Sequence, residues 1–310
     1  MSSGCACAAF RAGSSHGRIT CTSSRSSRGS SGWSPTGRPR SSSAETSRSS
    51  ACSATRIGSA MSDELGRALD FMARAEMAGE RTETTRFGTA VFDDRVPKRY
   101  DSNYLHVATL PSGTTAEELA ADAVEHGRPM ILVRDEAAAE LLAPGFQALG
   151  WRVDRHLVMT QSEQPTRTAT ADLVRPLDPE ALREARRRLT AGYPWSTPEL
   201  MDQLHEARRL LAERVDARFY GIVVDGEVVA YTDLYLEPPV AQIEDVGTLE
   251  EHRGKGYASA LVLHAADTAR REGAELVFLV ADAEDWPQQL YRKLGFEPAG
   301  RYLKFIAPGV

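Results

Sequence analysis

Beyond residue 52 this 310-residue chain has no cysteine; all four, Cys5, Cys7, Cys21 and Cys52, lie in the first sixty residues. Residues 61–310 therefore carry neither a disulfide frame nor a thiolate metal site. Long apolar runs are missing too, and none approaches the roughly 18 residues that a membrane-spanning helix needs. An excess of positive charge is absent from the body of the chain. The first sixty residues hold eight Arg, no Lys and one acid, Glu45, which leaves 29 basic against 42 acidic residues in the remainder. Such a body is a poor partner for nucleic acid or an anionic membrane.

Residues 1–60 also lack aliphatic periodicity. Nineteen of them are Ser, and a segment so composed cannot bury enough apolar surface to offset the entropy of ordering, so disorder is expected. Cys5–Phe10 is its only apolar stretch and no cleavage region follows, which argues against a secretory signal. The Ser- and Arg-rich, acid-poor composition superficially resembles an organellar transit peptide or a basic nucleic-acid-binding arm. The preferred reading is a dispensable extension, with the start of the protein at Met61.

What is present begins with two α/β halves. Leu65, Leu69, Met72 and Met77 recur at helical spacing between Ser62 and Gly79. Strands are expected at Arg86–Phe92, Asn103–Thr109, Pro129–Arg134 and Arg152–Thr160. Helices are expected after Thr115, which opens a capping box, and from Asp135 to Leu142. A polar linker, residues 161–170, follows. The second half reads as a strand at Ala171–Arg175, helices at Pro179–Ala191 and Pro198–Val215 (the latter opened by Ser196-x-x-Glu199), and strands at Arg218–Val224 and Glu227–Leu236 around the hairpin signal Asp225-Gly226. A strand at Gln242–Leu249, a helix to Glu272, a strand at Glu275–Ala281, a short helix and a last strand complete it. The fold class is α/β with a mixed sheet.

Between the Gln242–Leu249 strand and its helix stands Arg253-Gly254-Lys255-Gly256-Tyr257-Ala258. Alternate glycines before a helix expose backbone N–H groups, and the helix N-terminus adds roughly half a positive charge, so the turn suits a phosphate or pyrophosphate. The Walker A pattern fails, because Gly256 follows Lys255 and Leu249 stands at its first Gly; the dinucleotide fingerprint fails at Ser259. Arg253-x-x-Gly256-x-Ala258 resembles the acetyl-CoA loop Gln/Arg-x-x-Gly-x-Gly/Ala of the GNAT acyltransferase superfamily. Downstream, Leu290-Tyr291-Arg292-Lys293-Leu294-Gly295-Phe296 is similar to the end of the same domain. The resemblance covers about residues 170–306.

That resemblance implies an acetyl-CoA-dependent N-acetyltransferase working by direct attack of a primary amine. The pyrophosphate would rest on Arg253, Gly254, Lys255, Gly256, Tyr257 and Ala258, and the pantetheine arm on Val246, Gly247 and Thr248, where two strands would splay and a backbone N–H would face the thioester carbonyl. Tyr291 is the implied acid for the leaving thiolate; with an ordinary pKa of about 10 a Tyr keeps its proton at neutral pH. Glu244 is the candidate base, with Asp245 as the alternative. By strand alternation the two should point to opposite faces. Gly247 should mark a bulge or a close approach. The family often carries Asn seven residues before the Tyr, whereas here Glu284 stands, and with Glu237, Glu244 and Asp245 it hints at a cationic acceptor. Tyr193 and Trp195 sit where the superfamily lines its acceptor site. His205 and His264 lack a second ligand at metal spacing and read as structural, and no metal is expected.

Phe146-Gln147-Ala148-Leu149-Gly150-Trp151 parallels Tyr291–Phe296 at an offset of 145 residues, and Ala108-Thr109-Leu110 parallels Gly247-Thr248-Leu249. Self-similarity at one offset suggests an internal duplication. In the first copy Pro111-Ser112-Gly113 replaces the Gly-rich loop and Phe146 replaces Tyr291, so residues 61–160 read as a GNAT-like non-catalytic domain before a catalytic domain at 171–310. The expected acceptor is a small-molecule or peptide amine, with no nucleic-acid or membrane partner, an oligomeric state left open and a cytoplasmic location. The alternative is a CoA-binding sensor or interaction module without efficient transfer.

Overall fold

A computed structural model describes residues 63–166, 171–193 and 195–309; the expectations for residues 1–60 and for a start at Met61 lie outside them. The first helix, α1, covers residues 63–74. The first half continues with β1 (Arg81–Thr84), β2 (Thr89–Phe92), β3 (Tyr104–Val107), α2 (Ala116–Glu125), β4 (Met130–Val133), α3 (Glu136–Ala148) and β5 (Arg152–Gln161). The second runs β6 (Arg175–Pro176), α4 (Arg183–Thr190), α5 (Pro198–Ala212), β7 (Asp216–Val224), β8 (Glu227–Glu237), β9 (Val240–Thr248), α6 (Tyr257–Arg271), β10 (Leu276–Asp282), α7 (Pro287–Lys293) and β11 (Phe296–Ile306).

All eleven strands form one mixed sheet in the order β1-β2-β3-β4-β11-β5-β10-β9-β8-β7-β6. The last strand of each half lies beside the other half's strands: β11 pairs with β4, β5 pairs with β10, and β5 and β11 pair with each other, all antiparallel. A central strand buried on both faces needs apolar residues at every position rather than every second one. Along β10 this is met, with Val277, Leu279 and Ala281 facing α6 and α7 while Leu276, Phe278 and Val280 face α1 and α5. The ring of Phe71 on α1 meets that of Phe278 edge-on, with centroids 5.8 Å apart at 83°. Helices thus cover both faces of the sheet.

Local chemistry explains most element boundaries. Thr115 accepts from the Glu118 N–H and Glu118 bonds back to Thr115 N–H, the expected capping box. Asp225 and Gly226 both take positive φ, 51° and 85°, as a two-residue hairpin turn requires. Four expectations are corrected. The segment Arg86–Phe92 is a hairpin turn followed by β2, with the Thr85 hydroxyl accepting from Gly88 N–H. Only Arg175–Pro176 of the next expected strand pairs, after a single 3-10 turn at Ala171–Leu173. The cap of α5 is Thr197, not Ser196; its hydroxyl accepts from Leu200 N–H. Helix α3 runs on past Leu142 through Pro144 to Ala148, where Gly145 lets it approach Ala116 of α2: a Cβ there would fall 2.7 Å from that of Ala116. Residues 161–166 of the expected linker are tied down, because Ser162 and Glu163 both donate to the Gly295 carbonyl at 3.1 Å.

Candidate active site

Strands β9 and β10 run parallel and pair from Val240↔Leu276 to Ile243↔Leu279. Beyond that point β9 continues to Thr248 and β10 to Asp282 without pairing to each other, so the sheet parts and the β9 edge from Glu244 onward faces a gap. Val246 on one side of the gap, Ala281 on the other and the buried Tyr291 of α7 belong to one packed cluster. The Tyr291 ring lies edge-on to Phe296, 6.4 Å between centroids. The hydroxyl of Thr248 is buried and finds no hydrogen-bond partner among the described residues.

The chain leaves β9 through a short turn, with Gly254 at φ 76° and Gly256 at φ 83°, conformations that glycine adopts without steric cost. Gly256 is the N-cap of α6, so no side chain caps the helix, and no acid stands in its first turn. The first N–H groups of a helix have no partner within it, so this end offers donors of the kind that suit an anion. Arg253 folds back so that Nε reaches the Thr248 carbonyl at 3.4 Å. Lys255 Nζ lies 3.2 Å from His252 Nδ1, and the His252 ring stacks near Tyr257. Tyr257 and Ala258 are half-buried against the core.

Gly247 is a close-approach point: a Cβ there would lie 2.7 Å from the hydroxyl of Tyr231, on the strand opposite. The bulge is earlier. Register shifts between Tyr231↔Gly247 and Asp233↔Glu244, and Asp245 takes φ 53°. An extra residue in a bulge suspends the alternation of sides. Glu244 and Asp245 therefore both face α5, contrary to the expectation of opposite faces. Asp245 accepts from Arg186 Nε at 2.8 Å and from Arg208 at 2.6 Å, and Asp233 is bound by the same two guanidinium groups and by the Tyr235 hydroxyl at 3.1 Å. Held in this way, Asp245 keeps a carboxyl below its ordinary range despite burial, because Arg208 and Arg186 favour the charge. It is committed to ion pairs and is a poor base.

Glu244 is different. It is buried, and burial together with the charges of Glu76 and Asp245 pushes its carboxyl well above the ordinary range. Its partner is Gln242, whose Nε2 donates to it at 3.0 Å and also to Glu76 at 2.7 Å. Glu244 lines a cavity of about 40 Å³ together with Tyr235 and Arg208 from the second half and Glu76, Arg99 and Asp101 from the first. Glu237 and Glu284, expected to add charge to an acceptor cleft, are exposed and pair with Arg74 at 3.2 Å and Arg155 at 3.6 Å instead. Tyr193 and Trp195 stack on each other at 5.4 Å between α4 and α5. His205 lies 3.0 Å from Glu180, and among the described residues no group of three or more His, Cys, Asp or Glu is placed to hold a metal.

Sequence reading missed Glu76, Gln242, Arg186 and Arg208. For Arg186 a signal existed: it sits four residues after Leu182 on the stripe that buries Ala185, whereas its neighbours Arg187 and Arg188 are exposed. A charged residue on an apolar stripe announces a buried partner.

Splayed parallel strands thus lead to a Gly-opened helix, with a buried Tyr and a buried Glu beside the gap. The sequence profile of the Acetyltransferase (GNAT) family matches residues 180–296. The chain is 30% identical over 122 residues to the aminoglycoside N(6')-acetyltransferase type 1 of Serratia marcescens, covering 36% of this chain and 82% of that protein. It is 25% identical over 218 residues to the uncharacterized N-acetyltransferase CgeE of Bacillus subtilis (strain 168), covering 65% and 72%. In fold it is similar to a functionally unknown conserved protein from Staphylococcus epidermidis ATCC 12228, with TM-score 0.57 at 14% identity over 76% of this chain and 96% of that one. The chain belongs to the Acetyltransferase (GNAT) family, and by that membership it is an acyltransferase. No helix among the described residues is long and apolar enough to cross a membrane.

Proposed function

We propose that the protein transfers the acetyl group of acetyl-CoA to a primary amine by direct attack. The observation that carries this reading is the gap between β9 and β10 running into the uncapped N-terminus of α6. The residues fit the co-substrate: amides from Gly254 to Ala258 and the side chains of Arg253 and Lys255 suit a pyrophosphate, and the unpartnered edge of Val246, Gly247 and Thr248 suits an amide-bearing pantetheine arm, as an added strand would. The Thr248 hydroxyl gains there the partner it lacks among the described residues.

Attack requires the amine as its neutral form. Glu244, as carboxylate, takes the proton of the bound ammonium, directly or through a water in the cavity; the nitrogen then bonds to the thioester carbonyl carbon. A backbone N–H on the β9 edge stabilises the oxygen as it becomes negative. As the C–S bond breaks, Tyr291 gives its proton to the sulfur and regains one from solvent, while the nitrogen sheds its second proton to leave a neutral amide. Residues 61–160 are read here as a degenerate copy of the same unit. The sheet order supports that: β3-α2-β4-α3-β5 and β9-α6-β10-α7-β11 repeat one sequence of elements, and the pairing Leu157↔Arg301 and His156↔Tyr302 is symmetric at the 145-residue offset.

Acetyl-CoA should raise the melting temperature, and release of free CoA thiol should depend on an added amine. A protein that binds acetyl-CoA but releases no thiol with any of a broad amine panel would be a CoA-binding module rather than this enzyme.

A further inference from the structure

We infer that the first half of the chain supplies half of the acceptor site, with Glu76 and Glu244 together seating the reacting amine as its ammonium ion. This rests on the transfer reaction proposed above. Glu76 follows α1 and is 8% exposed, fixed between the fully buried Ala75 and Met77. Its backbone carbonyl accepts from Arg99 at 3.0 Å. It is thus presented rigidly to a cavity whose other wall is β8, β9 and α5.

The charges around that cavity decide what it can accept. Arg208 is committed to Asp233 and Asp245 on β8 and β9. Asp101 is committed to Lys304 at 2.7 Å. That leaves two carboxylates, Glu76 and Glu244, facing one guanidinium, Arg99, at a loose 3.8 Å from Glu76. Buried charge without a close counterion is costly, so the pair favours a cation or a proton between them.

The protein already shows the geometry of such a guest. Gln242 is fully buried, and its NH₂ group donates one N–H to each carboxylate, as an ammonium does with its own N–H groups. Among the described residues the Oε1 of the same amide finds no partner, so the amide is held through its NH₂ group alone. The cavity, at about 40 Å³, exceeds what one water needs, and an ammonium group is no larger than a water. Because Glu244 is the first residue past the last β9–β10 pair, an amine held there lies at the mouth of the gap assigned to the thioester. An aliphatic amine, charged in solution, fits this seat; an aromatic amine, uncharged at neutral pH, does not.

Steady-state acetylation is to be measured for Glu76→Gln, Glu76→Asp and wild type, with an alkylamine and an aniline as acceptors. Loss of one charge-assisted contact predicts a rise in KM for the alkylamine of about 10–100-fold in Glu76→Gln, partial recovery in Glu76→Asp, kcat little changed, and the acetyl-CoA-induced thermal shift retained. Wild type alone should prefer the alkylamine, with kcat/KM falling as salt is raised. An unchanged KM in a folded Glu76→Gln protein, or a wild-type enzyme that takes anilines as readily as alkylamines, overturns the inference and leaves acetyl transfer standing. Absence of any acetyl-CoA shift or thiol release in wild type removes both.

Discussion

Two parts of this sheet repeat the same run of elements and differ in what fills one place. In the first half β3 and β4 pair to their ends, with Val107 opposite Val133 and the Arg134 N–H still bound to the Val107 carbonyl at 3.1 Å. In the second, β9 and β10 part after Ile243 and Leu279. Helix α2 begins with the Thr115–Glu118 box and a second acid, Glu117, whereas α6 begins at a bare glycine. Phe146 on α3 stacks on Phe305 at 4.1 Å; Tyr291 takes the corresponding place on α7. Each difference acts in the same direction. The first half meets the needs of its strand edge and helix end with its own groups, and in the second these are the places where the co-substrate is proposed to bind. On the proposed reading one scaffold supports both a closed and an open version of a site, and the choice rests on a few side chains rather than on topology.

The largest test of that comparison is the pair Phe146 and Tyr291. Replacing Tyr291 by Phe, the residue the closed half already uses, should lower kcat by about 10²–10⁴-fold, the usual worth of a general acid, while acetyl-CoA affinity changes little. Turnover equal to wild type would make the hydroxyl structural. A second test sets two glycines of matching conformation against each other, Gly256 at φ 83° and Gly113 at φ 85°. Asp at either position bears the same backbone strain, but only Gly256→Asp places a carboxylate where the pyrophosphate is proposed to sit. The stabilisation by acetyl-CoA, about 2.7 kcal/mol at a hundredfold excess over Kd, should vanish there and persist in Gly113→Asp. Thermal shifts on both variants decide it.

Much of the fold was legible because its signals are local. Asp225-Gly226, Thr115-x-x-Glu118 and the paired glycines of the α6 loop each demand a particular backbone from a few adjacent residues, and each takes it. The exchange of β5 and β11 was not legible, since pairings such as Leu303↔Arg155 join residues far apart in the chain and leave no periodic trace. The bulge was legible only to within two residues: Gly247, expected to mark a bulge or a close approach, bounds the register shift, while the left-handed residue is Asp245. Glu76 reads in sequence as one more polar residue near an amphipathic helix. Its meaning comes from Gln242, a partner 166 residues away.

The buried carboxyls sharpen the comparison through pH. Glu244 faces Asp233 and Tyr235 on β8, Gln242 and Asp245 on β9, Arg208 on α5, and Glu76 and Arg99 from the first half. Burial and the neighbouring Glu76 and Asp245 hold its carboxyl well above the ordinary 4.5 in the folded protein. The folded state therefore binds a proton that the unfolded state releases across the window above 4.5, and stability falls as pH rises through it. Asp101 and Asp245, held below their ordinary 3.8, act in the opposite sense and only in acid. Glu244→Gln should flatten the decline of Tm as pH rises above 4.5, measured by thermal denaturation against wild type; parallel curves would show that Glu244 ionises freely. The first half's counterpart strand, β3, acts in the opposite sense: burial lowers His106 from 6.5 to about 4, so stability rises with pH across that window.

The smallest expected effect is at the capped helix. Thr115→Ala removes the hydroxyl that accepts from Glu118 N–H, and the loss of such a cap costs about 1 kcal/mol of stability. Uncapping alone should not turn α2 into a second anion site. Glu117 and Glu118 remain in its first turn, and their charge opposes any phosphate that the freed amides attract. The matching end of α6 has no acid to do this. Acetyl-CoA titrations of Thr115→Ala should thus show one binding event with wild-type affinity, on a protein slightly easier to unfold in urea. A second, weaker event would mean that the cap by itself keeps the first half closed. In that case the difference between the halves would reduce to one hydroxyl and its glutamate partner.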